Sequence, residues 1–307
     1  MYTIREIGEN IKDCDDFKGD VLFDFPMHKR TTMRVGGNAS LIIEPADEKS
    51  LAYVLKLLST EKLGFFVLGG GSNLVVSDDG VDIPVVSLRR LKSDIVLTER
   101  EDGDLLLKCS SGTSWGEILN FCTENNISGL LEFAGLPGTV GGAVFMNAGC
   151  FGNSISKVLK KAEYMTESGD KGTYEMNDAD WAYKKSPFQD KKWIATSVFL
   201  RVSKSNDDVK NIALSYIEQR KAKGHFKKPC AGSVFRNPEG VSAGLLIDEC
   251  GLKGFSIGGA KIAPWHANII INEDNATQKD IKSLVDYIKT VVKQKKNVLL
   301  EPEIIFW

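Results

Sequence analysis

The sequence predicts a mixed fold of helices and strands spread over two or three domains. Its 307 residues suggest about two domains at roughly 150 residues each, with three small ones possible. Strand-like and helix-like segments alternate closely between residues 41 and 125, which favours a mixed fold over an all-β sandwich. Hydrophobic residues make up 42% of the chain and charged residues 26%, as in an ordinary globular protein.

The spacing of apolar residues predicts the elements of the first half in order. A helix over 48–58 follows from apolar residues at i, i+3, i+4 and i+7, namely Leu51, Val54, Leu55 and Leu58. Ser114, with Glu117 three residues later, predicts a capping box at the start of a helix over 114–125. Strands are predicted at 41–44, 65–68, 74–77, 85–88, 105–110 and 192–202.

A polar stretch at 203–210 is a candidate boundary before the C-terminal part. Helices are predicted there at 212–222, 243–249 and 277–294. The last of these has one apolar stripe, formed by Ile281, Leu284, Val285, Ile288, Val291 and Val292. Strand-like segments at 267–271 and 303–306 flank that helix.

Charge and composition exclude several classes of protein. With 39 basic and 41 acidic side chains the net charge is −2, so no global attraction to nucleic acid or anionic membrane is expected. The N-terminus resembles no secretory signal, and no apolar stretch reaches the ~18 residues of a membrane span. Six scattered cysteines and three histidines without an HExxH pattern predict reduced thiols and no metal. We therefore expect a cytoplasmic protein.

Glycine is the unusual residue, at 29 of 307, and many glycines are concentrated in a few short segments. The segment Gly69-Gly70-Gly71-Ser72-Asn73 follows a predicted strand, but it lacks the third glycine of GxGxxG and leads into another strand. A Rossmann site needs a helix at that point, so this is not one. The pattern alone favours a tight hairpin turn, and the alternative is a nest of N–H groups that holds a pyrophosphate.

Two further segments are candidates for binding or chemistry. Residues 135–143 (GLPGTVGGA) are rich in Gly and Pro, so a flat ligand could lie directly on their backbone. Ser233 lies in the segment 231–238 (AGSVFRNP), without the GxSxG elbow of a hydrolase nucleophile. A serine in such a place is usually a hydrogen-bonded turn residue, and the alternative is a proton donor.

In order and spacing, these three motifs resemble those of the UDP-N-acetylenolpyruvoylglucosamine reductase (MurB) family. The similarity runs from about residue 28 to residue 306 and matches the shorter subtype, which lacks a tyrosine-bearing loop. It includes five more segments, at 32–39 (TMRVGGNA), 243–248 (AGLLID), 251–254 (GLKG), 266–268 (HAN) and 300–304 (LEPEI).

The resemblance implies an α+β architecture. It consists of a two-subdomain FAD-binding fold of the vanillyl-alcohol-oxidase (PCMH) type plus a C-terminal α/β substrate-binding domain. The expected parts are FAD-binding subdomains at 1–84 and 85–204 and a substrate-binding domain at 205–307. The implied reaction belongs to peptidoglycan precursor synthesis. NADPH reduces the flavin, hydride passes from flavin N5 to C3 of the enolpyruvyl ether, and a proton reaches C2 to give UDP-N-acetylmuramate. The expected partner is this small sugar nucleotide, with no obligate protein partner.

Carried over residue by residue, the resemblance assigns three groups of side chains. The catalytic residues are Ser233 as proton donor, Glu303 and Lys184. The substrate-binding residues are Tyr183, Lys223 and Asn237. The cofactor-binding residues are Arg34, Gly69, Gly70, Gly71, Ser72, Asn73, Gly135, Pro137, Gly138, Thr139, Gly141, Gly142 and Ala143.

Three departures from the family pattern keep other functions open. Lys184 stands where the family has a catalytic arginine, so the charge is kept but the planar fork is lost. Gly224-His225 replaces a common Gln-Pro, and Pro264-Trp265 replaces more polar residues. The alternatives are a same-fold flavoprotein reductase acting on a different anionic substrate, and a non-catalytic nucleotide-sugar-binding protein.

Overall fold

The computed structural model describes residues 2–99 and 105–307. These residues group by contact into two compact units. The first unit comprises the chain up to Phe23, Ser40–Gly70 and Asp82–Glu218, and the second comprises Asp24–Ala39, Gly71–Val81 and Gln219–Trp307. The first unit combines parts of both expected FAD-binding subdomains. The division at 1–84, 85–204 and 205–307 stays a prediction.

The α-helices of the described residues are α1 (Ile4–Lys12), α2 (Glu48–Thr60), α3 (Trp115–Glu124), α4 (Val140–Phe145), α5 (Ile155–Val158), α6 (Pro187–Asp190), α7 (Val209–Ala222), α8 (Ala243–Glu249) and α9 (Gln278–Lys296). The predicted helices correspond to α2, α3, α7, α8 and α9. Ser114 accepts from the N–H of Glu117, whose carboxylate accepts from the N–H of Ser114, so the predicted capping box is confirmed. Helix α1 was not predicted, although Thr3 and Glu6 form the same kind of cap.

The strands of the described residues are β1 (Gly19–Pro26), β2 (Asn38–Pro45), β3 (Phe66–Leu68), β4 (Leu74–Val75), β5 (Val85–Ser87), β6 (Val96–Glu99), β7 (Leu105–Ser110), β8 (Ile127–Ser128), β9 (Gly149–Cys150), β10 (Asn153–Ser154), β11 (Leu159–Met165), β12 (Lys171–Glu175), β13 (Ile194–Lys204), β14 (Cys230–Ser233), β15 (Ser256–Ile257), β16 (Ala260–Ile262), β17 (Ile269–Asn272) and β18 (Ile305–Phe306).

The first unit contains two main sheets with separate hydrophobic cores. The smaller sheet has the order β1-β2-β5-β3, with β5 parallel to both β2 and β3. Helices α1 and α2 bury their apolar faces against it. The larger sheet is antiparallel, in the order β12-β11-β13-β7-β6. In its core the ring of Trp115 on α3 stacks on Phe133 at 4.6 Å between centroids.

The second unit is built on the antiparallel sheet β14-β17-β16-β15, which shares its core with α8 and α9. Most of the predicted stripe of α9 is buried, and Val291 is half-buried. The short strands β4 and β18 pair in parallel, Leu74 with Ile305, so the C-terminal end of the chain pairs with the segment that follows the glycine loop.

The hairpin interpretation of Gly69–Asn73 is wrong. Strand β3 pairs with β5 and strand β4 with β18, so the two strands flanking the glycine loop belong to different sheets. The strand predicted over 74–77 is only Leu74–Val75. Both errors arise because a tight turn and a crossover between sheets use the same local residues, and only distant pairing distinguishes them.

The buried side chain of Asn268 fixes the end of β14 and yields a stability prediction. Its Oδ1 accepts from the N–H of Phe235 and its Nδ2 donates to the carbonyl of the same residue. We expect Asn268→Ala to lower the free energy of unfolding by about 2 kcal/mol, because it leaves two buried backbone groups unpaired. The exposed Asn120→Ala on α3 is the control, expected within about 0.5 kcal/mol of the parent. Urea unfolding measures both. Equal effects would show that the Asn268 bonds contribute nothing.

Candidate active site

Gly69 and Gly70, the first two residues of the first glycine motif, meet the second motif within the first unit. The backbone of Gly70 packs on that of Gly138, where a Cβ on Gly70 would overlap the Cα of Gly138. A Cβ on Gly69 would lie 3.0 Å from Oγ1 of Thr139. Two motifs nearly 70 residues apart in sequence thus form one surface of bare backbone, a contact that the sequence analysis did not predict.

Backbone donors remain available in the glycine loop. Among the described residues, the N–H groups of Gly69, Gly70 and Gly71 donate no hydrogen bond. Three consecutive N–H groups of this kind are a typical binding site for a phosphate oxygen. The loop therefore fits the pyrophosphate of a dinucleotide, as in the anion-nest interpretation.

The turn after β7 adds two hydroxyl groups that the sequence analysis did not identify. Oγ of Ser111 and Oγ1 of Thr113 are buried and have no hydrogen-bond partner in the described part of the chain. The carbonyls of these residues accept from Gly141 and Val140, so the turn lies directly against the second glycine motif. Buried hydroxyls without partners are costly, which indicates that a polar ligand satisfies them. The available sequence signal was the run Ser110-Ser111-Gly112-Thr113-Ser114 between a strand and a helix.

Residues 139–143 form the start of α4 rather than an open loop. Thr139 is its N-cap, and its Oγ1 accepts from the N–H of Gly142. The N–H groups of Val140, Gly141 and Ala143 also have protein acceptors. Any cofactor contact of this motif therefore uses its exposed backbone surface, its carbonyls or its side chains, not the N–H groups of the first helical turn.

Lys184 lies in a tight turn of the first unit, with a φ of 59°. The N–H of Lys185 donates to the carbonyl of Ala182 at 3.0 Å and closes the turn. The buried side chain of Asn147 donates to the same carbonyl at 2.9 Å, and Gln189 donates to the carbonyls of Phe145 and Lys184. These bonds tie the turn carrying Lys184 to the end of α4. Asn147 therefore supports the turn that carries Lys184, a contact that the sequence analysis missed.

Ser233 and Glu303 are brought onto neighbouring backbone segments within the second unit. The N–H of Glu303 donates to the carbonyl of Val234, directly after Ser233, at 2.7 Å. Asn73 donates from its side chain to the carbonyl of Glu303 at 3.0 Å. The hydroxyl of Ser233 makes no hydrogen bond within the described chain, unlike a typical turn serine. It is therefore available as a donor.

The remaining predicted side chains differ in exposure and in their contacts. Arg34 is exposed, and its carbonyl accepts from Asn272 at 3.4 Å. Tyr183 is 56% exposed, with the ammonium of Lys184 5.9 Å from its ring centroid. Asn237 uses its Oδ1 to accept from the N–H of Ala243 at the start of α8. Lys223 is exposed and follows the last residue of α7.

The second unit contains two neighbouring histidines, His225 and His266. Their ring centroids are 5.9 Å apart, and the ring planes are inclined at 51° to each other. Burial, the neighbouring His266 and the cations Arg220 and Lys223 together lower the pKa of His225 to about 4. Burial also lowers the pKa of His266, and Lys223 and Lys253 add to the effect. Both rings are neutral near pH 7 in a positively charged environment.

The described residues include no group of three or more potential metal ligands. Burial raises the pKa of the thiols of Cys109 and Cys122 to about 12, so neither acts as a nucleophile. None of the helices among residues 2–99 and 105–307 is long and apolar enough to cross a membrane.

Comparison with known proteins agrees with this geometry. Residues 39–171 match the FAD-binding domain family, and residues 224–307 match the C-terminal domain of UDP-N-acetylenolpyruvoylglucosamine reductase. The reductase of Treponema denticola is 39% identical over 304 residues, covering 94% of each chain. That of Borrelia garinii is 36% identical over 280 residues and 90% of each chain. The crystal structure of the Thermus caldophilus reductase superposes with a TM-score of 0.76 at 29% identity, over 95% of this chain and 99% of that one.

The chain belongs to the UDP-N-acetylenolpyruvoylglucosamine reductase family. The predicted fold class, an FAD-binding fold joined to a reductase C-terminal domain, is confirmed. The roles of the individual site residues stay predictions.

The packing of Gly70 on Gly138 predicts a specific defect in cofactor binding. Gly70→Ala forces the two glycine segments apart, so we expect the fraction of purified protein carrying flavin to fall at least about fivefold. Gly64→Ala is the matched control, because nothing lies within 4 Å of a Cβ at that position. Absorbance of the bound flavin measures both. Equal flavin content in the two variants would contradict the assignment of the loop.

His225 predicts a loss of stability in acid. Its folded pKa of about 4 lies below the model-peptide value of 6.5, so unfolding takes up a proton between these values. Stability therefore falls as the pH drops from 6.5 towards 4. We expect the parent to lose about 1 kcal/mol more than His225→Gln between pH 7 and pH 5, allowing for the partial exposure of the ring. Urea unfolding at the two pH values measures the difference, and parallel losses would contradict it.

Proposed function

We propose that this chain is an FAD-dependent oxidoreductase that reduces UDP-N-acetylglucosamine enolpyruvate to UDP-N-acetylmuramate with NADPH as reductant. The observation that carries the proposal is the bond between Glu303 and Val234, which sets two predicted catalytic residues, Ser233 and Glu303, on adjacent backbone. Family membership over 94% of the chain supports the same reaction. The product is a precursor of peptidoglycan, and the proposal places the reaction in the cytoplasm, where nucleotide sugars and NADPH are made.

The first unit offers a fitting site for the cofactor. The free N–H groups of Gly69 and Gly70 would hold the FAD pyrophosphate, and the unpartnered hydroxyls of Ser111 and Thr113 would bond its polar atoms. The chemistry that FAD supplies when bound is hydride transfer, and NADPH restores its reduced form. The bare surface formed by Gly70 and Gly138 would admit the cofactor at close range.

Three side chains would supply the proton for C2 and stabilise the negative charge that develops on the substrate carboxylate. Adding hydride to C3 of an enol ether conjugated with a carboxylate builds negative charge on that carboxylate, which Lys184 would stabilise. The hydroxyl of Ser233 would donate the proton to C2. Glu303 matches the family's catalytic glutamate, and its backbone bonds to Val234 and Asn73 hold it in place.

The substrate diphosphate would be held mainly by Lys223, with Tyr183 and Asn237 as further contacts. Lys223 is exposed and has the cations Arg220 and Lys253 among the charged groups around the adjoining histidines. These cations would attract an anionic ligand to this region, although Lys253 also pairs with Asp248 and the whole chain carries a net charge of −2.

Replacement of Ser233 tests the assignment of the proton donor. We expect Ser233→Ala to reduce substrate-dependent NADPH oxidation at least about 100-fold, because the general acid is lost. Flavin content and the slow oxidation of NADPH without substrate should stay at parental values. Ser256→Ala, in an exposed position on β15 of the same unit, is the control and should match the parent. Full activity of Ser233→Ala would reject Ser233 as the donor.

The presence of Lys184 in place of the family arginine favours a second candidate function, that of a same-fold flavoprotein reductase acting on a different anionic substrate. Lysine keeps the charge of the family arginine without its two parallel donors. Under the reductase proposal, Lys184→Met lowers kcat about 100-fold. Lys184→Arg retains turnover, and the exposed Lys185→Met leaves it unchanged. A flavin-loaded parent that oxidises NADPH without any response to the enolpyruvyl sugar nucleotide would favour the second candidate instead.

A further inference from the structure

The two segments that depart from the family pattern near the substrate residues contact each other. Gly224 has a φ of 78°, and a Cβ there would overlap the five-membered ring of Trp265. On the same indole, the ammonium of Lys227 lies 4.9 Å from the ring centroid. The departures Gly224-His225 and Pro264-Trp265 are therefore one structural feature, which we call the indole clamp and define as Gly224, Lys227 and Trp265.

The indole clamp lies at the C-terminal end of α7. The N–H of Gly224 donates to the carbonyl of Lys221, and the N–H of His225 donates to that of Arg220. This pair of bonds is a Schellman motif, in which the left-handed residue after the helix is normally glycine. Lys223 is the cap residue between the helix and that glycine. Its backbone direction thus depends on the turn against which Trp265 packs.

Among the described residues, the indole contributes packing on Gly224 and the contact with the ammonium of Lys227. Its Nε1 is buried and has no hydrogen-bond partner there. The ring therefore fills space above Gly224 and supports the turn without forming a polar link. A phenylalanine ring can supply most of that support without losing a hydrogen bond, which provides a conservative variant.

We propose that Trp265 is a positioning residue: it holds the C-terminal turn of α7 so that Lys223 is presented to the diphosphate of the nucleotide sugar. The inference rests on the proposed function, from which Lys223 takes its role as a diphosphate contact. It assigns to Trp265 a role in substrate binding that acts through the turn carrying Lys223. The rings of His225 and His266 also belong to the surroundings of this turn, with their centroids 5.9 Å apart.

A double-mutant cycle tests the proposal, with UDP-N-acetylglucosamine as a binding probe measured by calorimetry on the FAD-loaded protein. The diphosphate of this probe is a diester that does not titrate near neutral pH. We expect Trp265→Ala and Lys223→Ala each to raise its Kd about tenfold or more. Because Trp265 acts through Lys223, the double variant should bind no more weakly than Lys223→Ala alone. Additive losses in the double variant would overturn the proposal.

Further variants separate positioning from general stability. Trp265→Phe should bind the probe within about threefold of the parent, and Trp265→Ala should raise KM with kcat within about twofold. Gly224→Asn, which forces a side chain into the indole, should weaken binding. Gly254→Asn is its matched control, with a φ of 79° and nothing within 4 Å of a Cβ, and should not weaken binding. Equal effects of the two asparagine variants, or a fall in kcat of Trp265→Ala without a rise in KM, would overturn the proposal.

These measurements distinguish failure of the positioning role of Trp265 from failure of the proposed reaction. A parent that binds the probe and follows the cycle but does not reduce the enolpyruvyl compound retains the positioning role and loses the proposed reaction. A parent that reduces the enolpyruvyl compound but shows an additive cycle retains the reaction and loses the positioning role. A parent that does not bind the probe at all overturns the positioning role.

Discussion

The close approach of two backbone segments at Gly70 and Gly138 is the constraint on which the candidate cofactor site depends. No side chain fits between them, so β3 and the start of α4 come together closely enough to form a surface of bare peptide groups. Among residues 2–99 and 105–307, the N–H groups of Gly69, Gly70 and Gly71 have no protein acceptor, and the chain passes here from β3 to β4, which belongs to a different sheet. The local excess of glycine therefore corresponds to exposed donors rather than to general flexibility.

In each unit, hydrogen bonds to backbone groups fix the segments that carry the proposed reactive groups. In the first unit, Asn147 and Gln189 fix the turn carrying Lys184 to the end of α4. In the second, two bonds fix the segment that follows Ser233. The N–H of Phe235 donates to the buried amide of Asn268, and the carbonyl of Val234 accepts from the N–H of Glu303. The ion pairs among the described residues are mostly exposed, and pairs of this kind contribute little to stability.

The sequence predicted the helices of strongest periodicity, including α2, α3, α8 and α9, because their apolar stripes and caps are local. It also identified both glycine motifs and Ser233 as candidates. The sequence did not predict features that depend on contacts between distant segments. One is the pairing of β18 with β4. Another is the turn with the buried hydroxyls of Ser111 and Thr113, whose carbonyls bond to the start of α4. The packing of Trp265 on Gly224 joins positions about 40 residues apart, so neither residue alone could reveal the indole clamp.

We propose that the N–H groups of Gly69, Gly70 and Gly71 hold the pyrophosphate of FAD. A crystal structure of the flavin-loaded protein would give the distances from the pyrophosphate oxygens to the backbone nitrogens of these three residues. We expect at least two of these distances to be about 3 Å, the length of an N–H···O bond. A pyrophosphate bound elsewhere on the chain, with those three N–H groups facing water, would contradict it.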